Sequence, residues 1–197
     1  MVLRHGLEVD DPLGVVLDFV NAAYTYDVLT GSGPSTFGEL DLRLANRGGA
    51  RISATEIAAI LERRRTIERA LRAIAVDASL MNTEKAVPWL ALRQLFDGFG
   101  DIRGVGFAKM TKALHKKRPA LIPMLDSVVQ RYLVDDDPGA DTQFADRAIA
   151  LARGYKRDLD RNRAALRLLR RELARRNAVV TEVRILDALI WSAMVRS

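Results

Sequence analysis

The residues of this chain best suited to chemistry lie in positions 102–133, IRGVGFAKMTKALHKKRPALIPMLDSVVQRYL. Gly104-Val105-Gly106 reads as a tight turn at the start of a helix. Glycine has no Cβ, so such a turn admits positive φ values and lets a phosphate oxygen approach the N–H groups that open the helix. Val105, between the glycines, is expected to anchor the turn in the core. No acidic residue falls between Asp101 and Asp126, whereas Arg103, Lys109, Lys112, Lys116, Lys117 and Arg118 do. Turn and cations together read as a surface for a nucleic-acid backbone, with Gly104, Val105, Gly106, Lys109, Lys112, Lys116, Lys117 and Arg118 as its contacts. Asp126 follows at the start of the next helix, where a carboxylate can cap that helix and can also act on a substrate.

Composition narrows the chemistry. The chain has no cysteine, which excludes disulfides, thiolate zinc sites, cysteine nucleophiles and iron–sulfur clusters. With His5 and His115 as the two histidines, a multi-histidine metal site is a poor fit. Asp135-Asp136-Asp137 before Pro138-Gly139 reads as a solvated turn. No metal and no cofactor are expected. No apolar run approaches the ~20 residues of a membrane span, and MVLRHGLEVDD lacks the apolar core of a signal peptide, so a cytoplasmic protein without a membrane partner is expected. The net charge of +6 is uneven: residues 1–50 carry three basic and seven acidic side chains, residues 151–197 twelve basic and five acidic. That asymmetry suits a polyanionic partner, and it also arises from the arginine bias of a GC-rich genome.

Helices must position these groups. Ala, Leu and Arg abound, no stretch sustains period-two alternation, and no internal repeat is visible, which predicts an all-α fold as a single helical unit over 1–197. Asp10-Asp11-Pro12 predicts a helix start, followed by Val15, Val16, Phe19, Val20 and Ala23 at helical spacing. Ser35 or Thr36 is expected to open a short helix that Asn46-Arg47-Gly48-Gly49 ends. Ser53-Ala54-Thr55-Glu56 has the spacing of a capping box, and the helix beyond it is either continuous or broken near Arg63–Arg65. Pro88 starts a helix whose stripe includes Trp89, read as core. A long helix over 142–176, bent near Gly154, buries Phe144, Leu151, Tyr155, Leu159, Leu166, Leu169 and Leu173 and carries many arginines on its remaining surface, read as a solvated face. Thr181 caps a last helix, on which Asp187 and Trp191 are read as structural.

The order of residues in 102–132 resembles the helix-hairpin-helix base-excision DNA glycosylases. Ile102-Arg103-Gly104-Val105-Gly106 leads into a short helix, a connection containing Pro123, and Asp126 with Arg131 in the pattern D-x-x-x-x-R; the twenty residues from Gly106 to Asp126 are similar to the interval in that superfamily. The resemblance implies a two-lobed helical fold whose second lobe comes from the N- and C-terminal helices. It implies a hairpin on the DNA backbone and Asp126 at the mouth of a pocket for an extruded base. There the carboxylate would stabilise an oxocarbenium-like sugar as the base departs, or activate water. Bifunctional members carry a nucleophilic lysine where this chain has Ala108, and Lys109 would point about 100° round the helix, so lyase chemistry is not implied. Beyond these thirty or so residues the likeness is helical content alone. KALHKKRPALIPMLDS with the later TEVRILDALIW is similar, more closely overall, to an uncharacterised actinobacterial protein family, which lends structure and no chemistry.

The sequence therefore leads to an all-α protein that binds duplex DNA, with monofunctional base removal as the activity and Asp126 as the catalytic residue. A non-enzymatic DNA-binding or protein-interaction module is the alternative. What faces Asp126 separates them: a polar pocket beside the hairpin for the enzyme, a side chain filling that space for the binder.

Overall fold

The computed structural model describes residues 1–22, 26 and 29–196. The described residues form ten α-helices and no strand beyond the isolated bridge Val2–Glu8. They are α1 (Pro12–Ala22), α2 (Glu39–Arg47), α3 (Ala54–Glu62), α4 (Arg64–Arg72), α5 (Trp89–Asp97), α6 (Phe107–His115), α7 (Ser127–Tyr132), α8 (Phe144–Arg161), α9 (Arg163–Arg175) and α10 (Glu182–Arg196).

Several helix starts follow from local chemistry. Asp11 Oδ1 accepts the Gly14 N–H at 2.9 Å at the head of α1. Ser53 and Glu56 exchange the two hydrogen bonds of a capping box at the head of α3, at 3.3 and 2.8 Å. Thr181 Oγ1 accepts the Arg184 N–H at 3.2 Å in α10. α2 starts later than Ser35 or Thr36, because Asp41 reaches back to the Gly38 N–H at 2.9 Å and so places the first turn after Gly38. Val16 is buried and Val15, Phe19 and Val20 pack against the core, while Ala23 lies outside the described residues.

The segment after Ser53 is two helices. Arg63 forms the joint, and its guanidinium donates to the Gly100 carbonyl at 2.7 Å. The long C-terminal helix is also two, but it breaks at Asn162 and not at Gly154. Gly154 sits inside α8 because a Cβ there would collide with the Asp136 carboxylate. Arg4 explains that crowding, since its guanidinium donates to Asp158 at 2.6 Å, to Asp136 at 2.5 Å and to the Gly154 carbonyl at 3.0 Å. The three adjacent aspartates are accordingly not a solvated turn as a group. Asp136 pairs with Arg4 and Arg157, Asp137 pairs with Arg147, and Asp135 is exposed. No group of three metal-ligating side chains occurs among the described residues.

α10 is the central element. Every residue from Val183 to Ile190 is buried, and α1, α7, α8 and α9 pack around it. A helix buried on all sides should be apolar all round. Arg184 and Asp187 break that rule, and a buried charge is costly unless it is paired. No helix among the described residues is long and apolar enough to cross a membrane.

Candidate functional site

The hairpin forms as a turn, with the Val105 N–H closing on the Ile102 carbonyl at 3.0 Å and Val105 itself 5% exposed. Gly104 has φ +83°, which a side-chain-bearing residue would adopt only with strain. Gly106 has φ −91° and is the open N-cap of α6, so its glycine is not demanded by the backbone. A Cβ on Gly104 would collide with Glu56 Oε1. The same Glu56 carboxylate takes the Lys109 ammonium at 2.6 and 2.8 Å. Burial pushes the Glu56 carboxyl up, but Lys109 and Ser53 outweigh it and the net shift is downward. Glu56, itself part of the chain, thus holds the first cation of the helix that follows the hairpin.

The basic run after α6 turns inward, which corrects two of the expected backbone contacts. Lys117 is 3% exposed and pairs with the buried Asp41 at 2.6 Å, while also donating to Ser32 and the Gly33 carbonyl. Burial lowers its pKa, with Asp41 opposing. Arg118 is fully buried and donates to the carbonyls of Leu71 at 2.6 Å, Ile74 at 2.7 Å and Pro34 at 2.7 Å. It satisfies the C-terminal end of α4, where unpaired carbonyls and the helix dipole favour a cation. Lys116 lies 5.3 Å over the Tyr26 ring. Arg103 is exposed on the turn, and Arg131 is exposed on α7.

Asp126 caps α7. Its Oδ1 accepts the N–H groups of Val128 and Val129 at 3.0 and 3.1 Å, and its Oδ2 accepts the Trp191 indole N–H at 3.2 Å. Three donors therefore fix the plane of this carboxylate. It opens onto a cavity of about 240 Å³ walled by Phe19, Ala22, Tyr26, Arg47, Gly48, Lys112, Met124, Arg184, Asp187 and Trp191. That is below the ~300–1,000 Å³ of pockets for drug-sized ligands. Lys112, expected as a backbone contact, lies along this wall beside the Gly48–Gly49 turn, where a Cβ on Gly49 would lie 3.8 Å from its Nζ. Gly48 is needed for the wall, since a Cβ there would come within 2.6 Å of the Tyr26 ring.

Residues 22–194 match a family described as a family of unknown function, DUF6308. The chain belongs to that family. No curated protein and no solved structure matches the chain. The span matched by DUF6308 contains every cavity residue named above except Phe19.

Within this DUF6308 chain the cavity's inner end is charged. Arg184 donates to Asp187 Oδ2 at 2.7 Å, and its guanidinium lies 4.6 Å from the Phe19 ring centre and 5.8 Å from that of Tyr26. Asp187 is 3% exposed, and its Oδ1 has no hydrogen-bond partner among the described residues. Burial pushes its carboxyl up to about 7, with Arg184 and Lys112 opposing and Asp126 adding to the rise. Asp187 and Trp191, structural by their spacing on α10, both line this cavity. The signal was present: an Arg and an Asp three apart interrupt the otherwise apolar run VRILDALI.

Proposed function

We propose that this chain binds duplex DNA through the Gly104 hairpin and hydrolyses the bond between a base and its sugar at the Asp126 cavity, without lyase chemistry. One observation carries the reading: a polar, aromatic-walled cavity opens at Asp126, and its wall includes Lys112 from the helix that the hairpin starts. A base taken out of the stack would lie against Trp191, Phe19 and Tyr26. Asp126, oriented by three N–H donors, would face the positive charge that develops on the sugar, and a charge held in place before reaction stabilises that transition state without reorganisation. Lys112, partly exposed, and Arg47, exposed, would supply positive charge for the flanking phosphates.

The test is base release from duplexes carrying deaminated, alkylated and oxidised bases, comparing wild type with Asp126→Asn. Asparagine keeps the helix cap, so a loss of rate reports chemistry and not unfolding. Equal rates would remove Asp126 from the mechanism, and no release from the whole panel by wild type would remove the enzyme.

The second reading is a protein-interaction module without DNA chemistry. The Glu56–Lys109 pair favours it, because a carboxylate of the chain already holds the lysine that follows the hairpin. Gel-shift affinity that does not fall with added salt would count for this reading, since phosphate binding must release counterions.

A further inference from the structure

The cavity that opens at Asp126 holds a second carboxyl, that of Asp187. Asp187 lies on the central helix and lines the cavity, Arg184 holds its Oδ2, and its Oδ1 is buried with no partner among the described residues. A buried acceptor without a donor costs free energy, and a proton on that oxygen turns it into a donor. Among the described residues, the groups facing Asp187 are Arg184 on its own helix, Lys112 from α6, Asp126 at the head of α7 and the buried Tyr155 from α8, with Tyr26 and Arg47 in the cavity wall. Tyr155 donates its hydroxyl hydrogen to the Val183 carbonyl at 2.7 Å, so it is not Asp187's partner.

We propose that Asp187 is the proton-carrying carboxyl of this cavity, presenting Oδ1–H to a ring nitrogen of a planar nitrogen heterocycle held between the aromatic walls. The choice of heterocycle rests on the base-removal reading; the role of the carboxyl rests on its geometry. In the reaction, the sugar–nitrogen bond breaks and its electron pair leaves with the base. The Asp187 proton passes to the base nitrogen. Water forms the new bond to the sugar carbon opposite Asp126, and the proton it sheds returns to the Asp187 carboxylate. Base plus hydrogen and sugar plus hydroxyl account for every atom, and no other reactant is needed. The two carboxyl groups divide the work: Asp126 faces the sugar, and Asp187 carries the proton to the base.

Calorimetric titration of the full chain with free adenine, hypoxanthine and uracil, on either side of pH 7, tests this. At least one heterocycle is expected to bind, its affinity falling towards tenfold per pH unit as pH rises beyond the carboxyl's range near 7. Asp187→Asn should bind without that pH dependence. Failure of all three to bind, or the same pH dependence in Asp187→Asn, overturns the proposal. A readout that needs no variant is carboxyl carbon NMR of ¹³C-aspartate-labelled wild type. It should show one aspartate titrating near pH 7 and shifting when a heterocycle is added, and the absence of such a signal overturns the proposal as well. Proton-linked binding with no base release from any duplex would sink the glycosylase reading and leave this role standing. Base release with an unchanged pH profile in Asp187→Asn would do the opposite.

Discussion

Asp187→Asn tests the burial argument on stability alone, with no assumption about substrate. The Asp187 carboxyl rises from an ordinary 3.8 to about 7, chiefly because burial removes the water that would solvate its charge. Below pH 3.8 the folded and unfolded chains both hold the proton. Between 3.8 and about 7 the unfolded chain has lost it and the folded chain keeps it, so stability falls as pH rises. The slope is about 1.4 kcal/mol per pH unit. Over roughly three units it removes about 4 kcal/mol, and it ends once pH passes the folded-state value. Asparagine cannot ionise, so the variant should escape this loss and gain on wild type across the same window. At neutral pH the advantage is at most about 4 kcal/mol, reduced by the weaker bond from Arg184, and for a chain of this size the full amount corresponds to roughly 10 °C in Tm. Urea unfolding of both proteins across a pH series measures the difference directly. A difference that is flat with pH, or that grows towards acid, would refute the assignment of a raised pKa to Asp187.

Four further outcomes are expected. Asp126→Ala should cost about 1 kcal/mol through the lost cap, which Asp126→Asn should not, while both lose base release; unfolding curves beside rate measurements separate the two effects. Arg118→Met should destabilise by on the order of 3 kcal/mol, because it leaves the buried carbonyls of Leu71, Ile74 and Pro34 without a donor, and it should leave the salt dependence of DNA binding unchanged. Gly104→Ala should cost about 1–2 kcal/mol, seen in thermal melts, because it forces a side-chain-bearing residue to φ +83° and displaces Glu56. Glu56→Gln should weaken the hold on Lys109 and steepen the slope of log affinity against log salt by about 0.9 if Lys109 then takes a phosphate, whereas an unchanged slope would remove Lys109 from the DNA surface.

Much of the helical framework is legible in local chemistry. Ser53 with Glu56, Asp11 before Pro12, Thr181, and Asp126 before Ser-Val-Val each place a helix start by a side chain bonding N–H groups two or three residues on, an effect that needs no tertiary partner. The breaks are less legible. Glycine predicts flexibility at 154, but that glycine answers to Asp136 and Arg4, which lie far away in sequence, and the helix parts at Asn162.

The cations divide in the same way. Arg103, Lys109, Lys112, Lys116, Lys117 and Arg118 look alike in sequence, as a basic run around a glycine turn. What distinguishes them is which long-range partner each meets: Glu56 for Lys109, the cavity wall for Lys112, Tyr26 for Lys116, Asp41 for Lys117 and the carbonyl end of α4 for Arg118. A charge on a short loop carries no mark of whether it will face water or a buried acceptor.

By itself the sequence determined the helical class, the hairpin with its glycine at position 104 and the capping role of Asp126, because each depends on spacing within a few residues. Tertiary structure decided what stands opposite Asp126. Trp191, Asp187 and Arg184 come from a helix more than fifty residues further on, Phe19 and Tyr26 from the N-terminal part, and only packing around the buried α10 brings them together. The same packing excludes water from Asp187 and so raises its proton affinity. Desolvation is a property of the assembled core, and no local spacing encodes it.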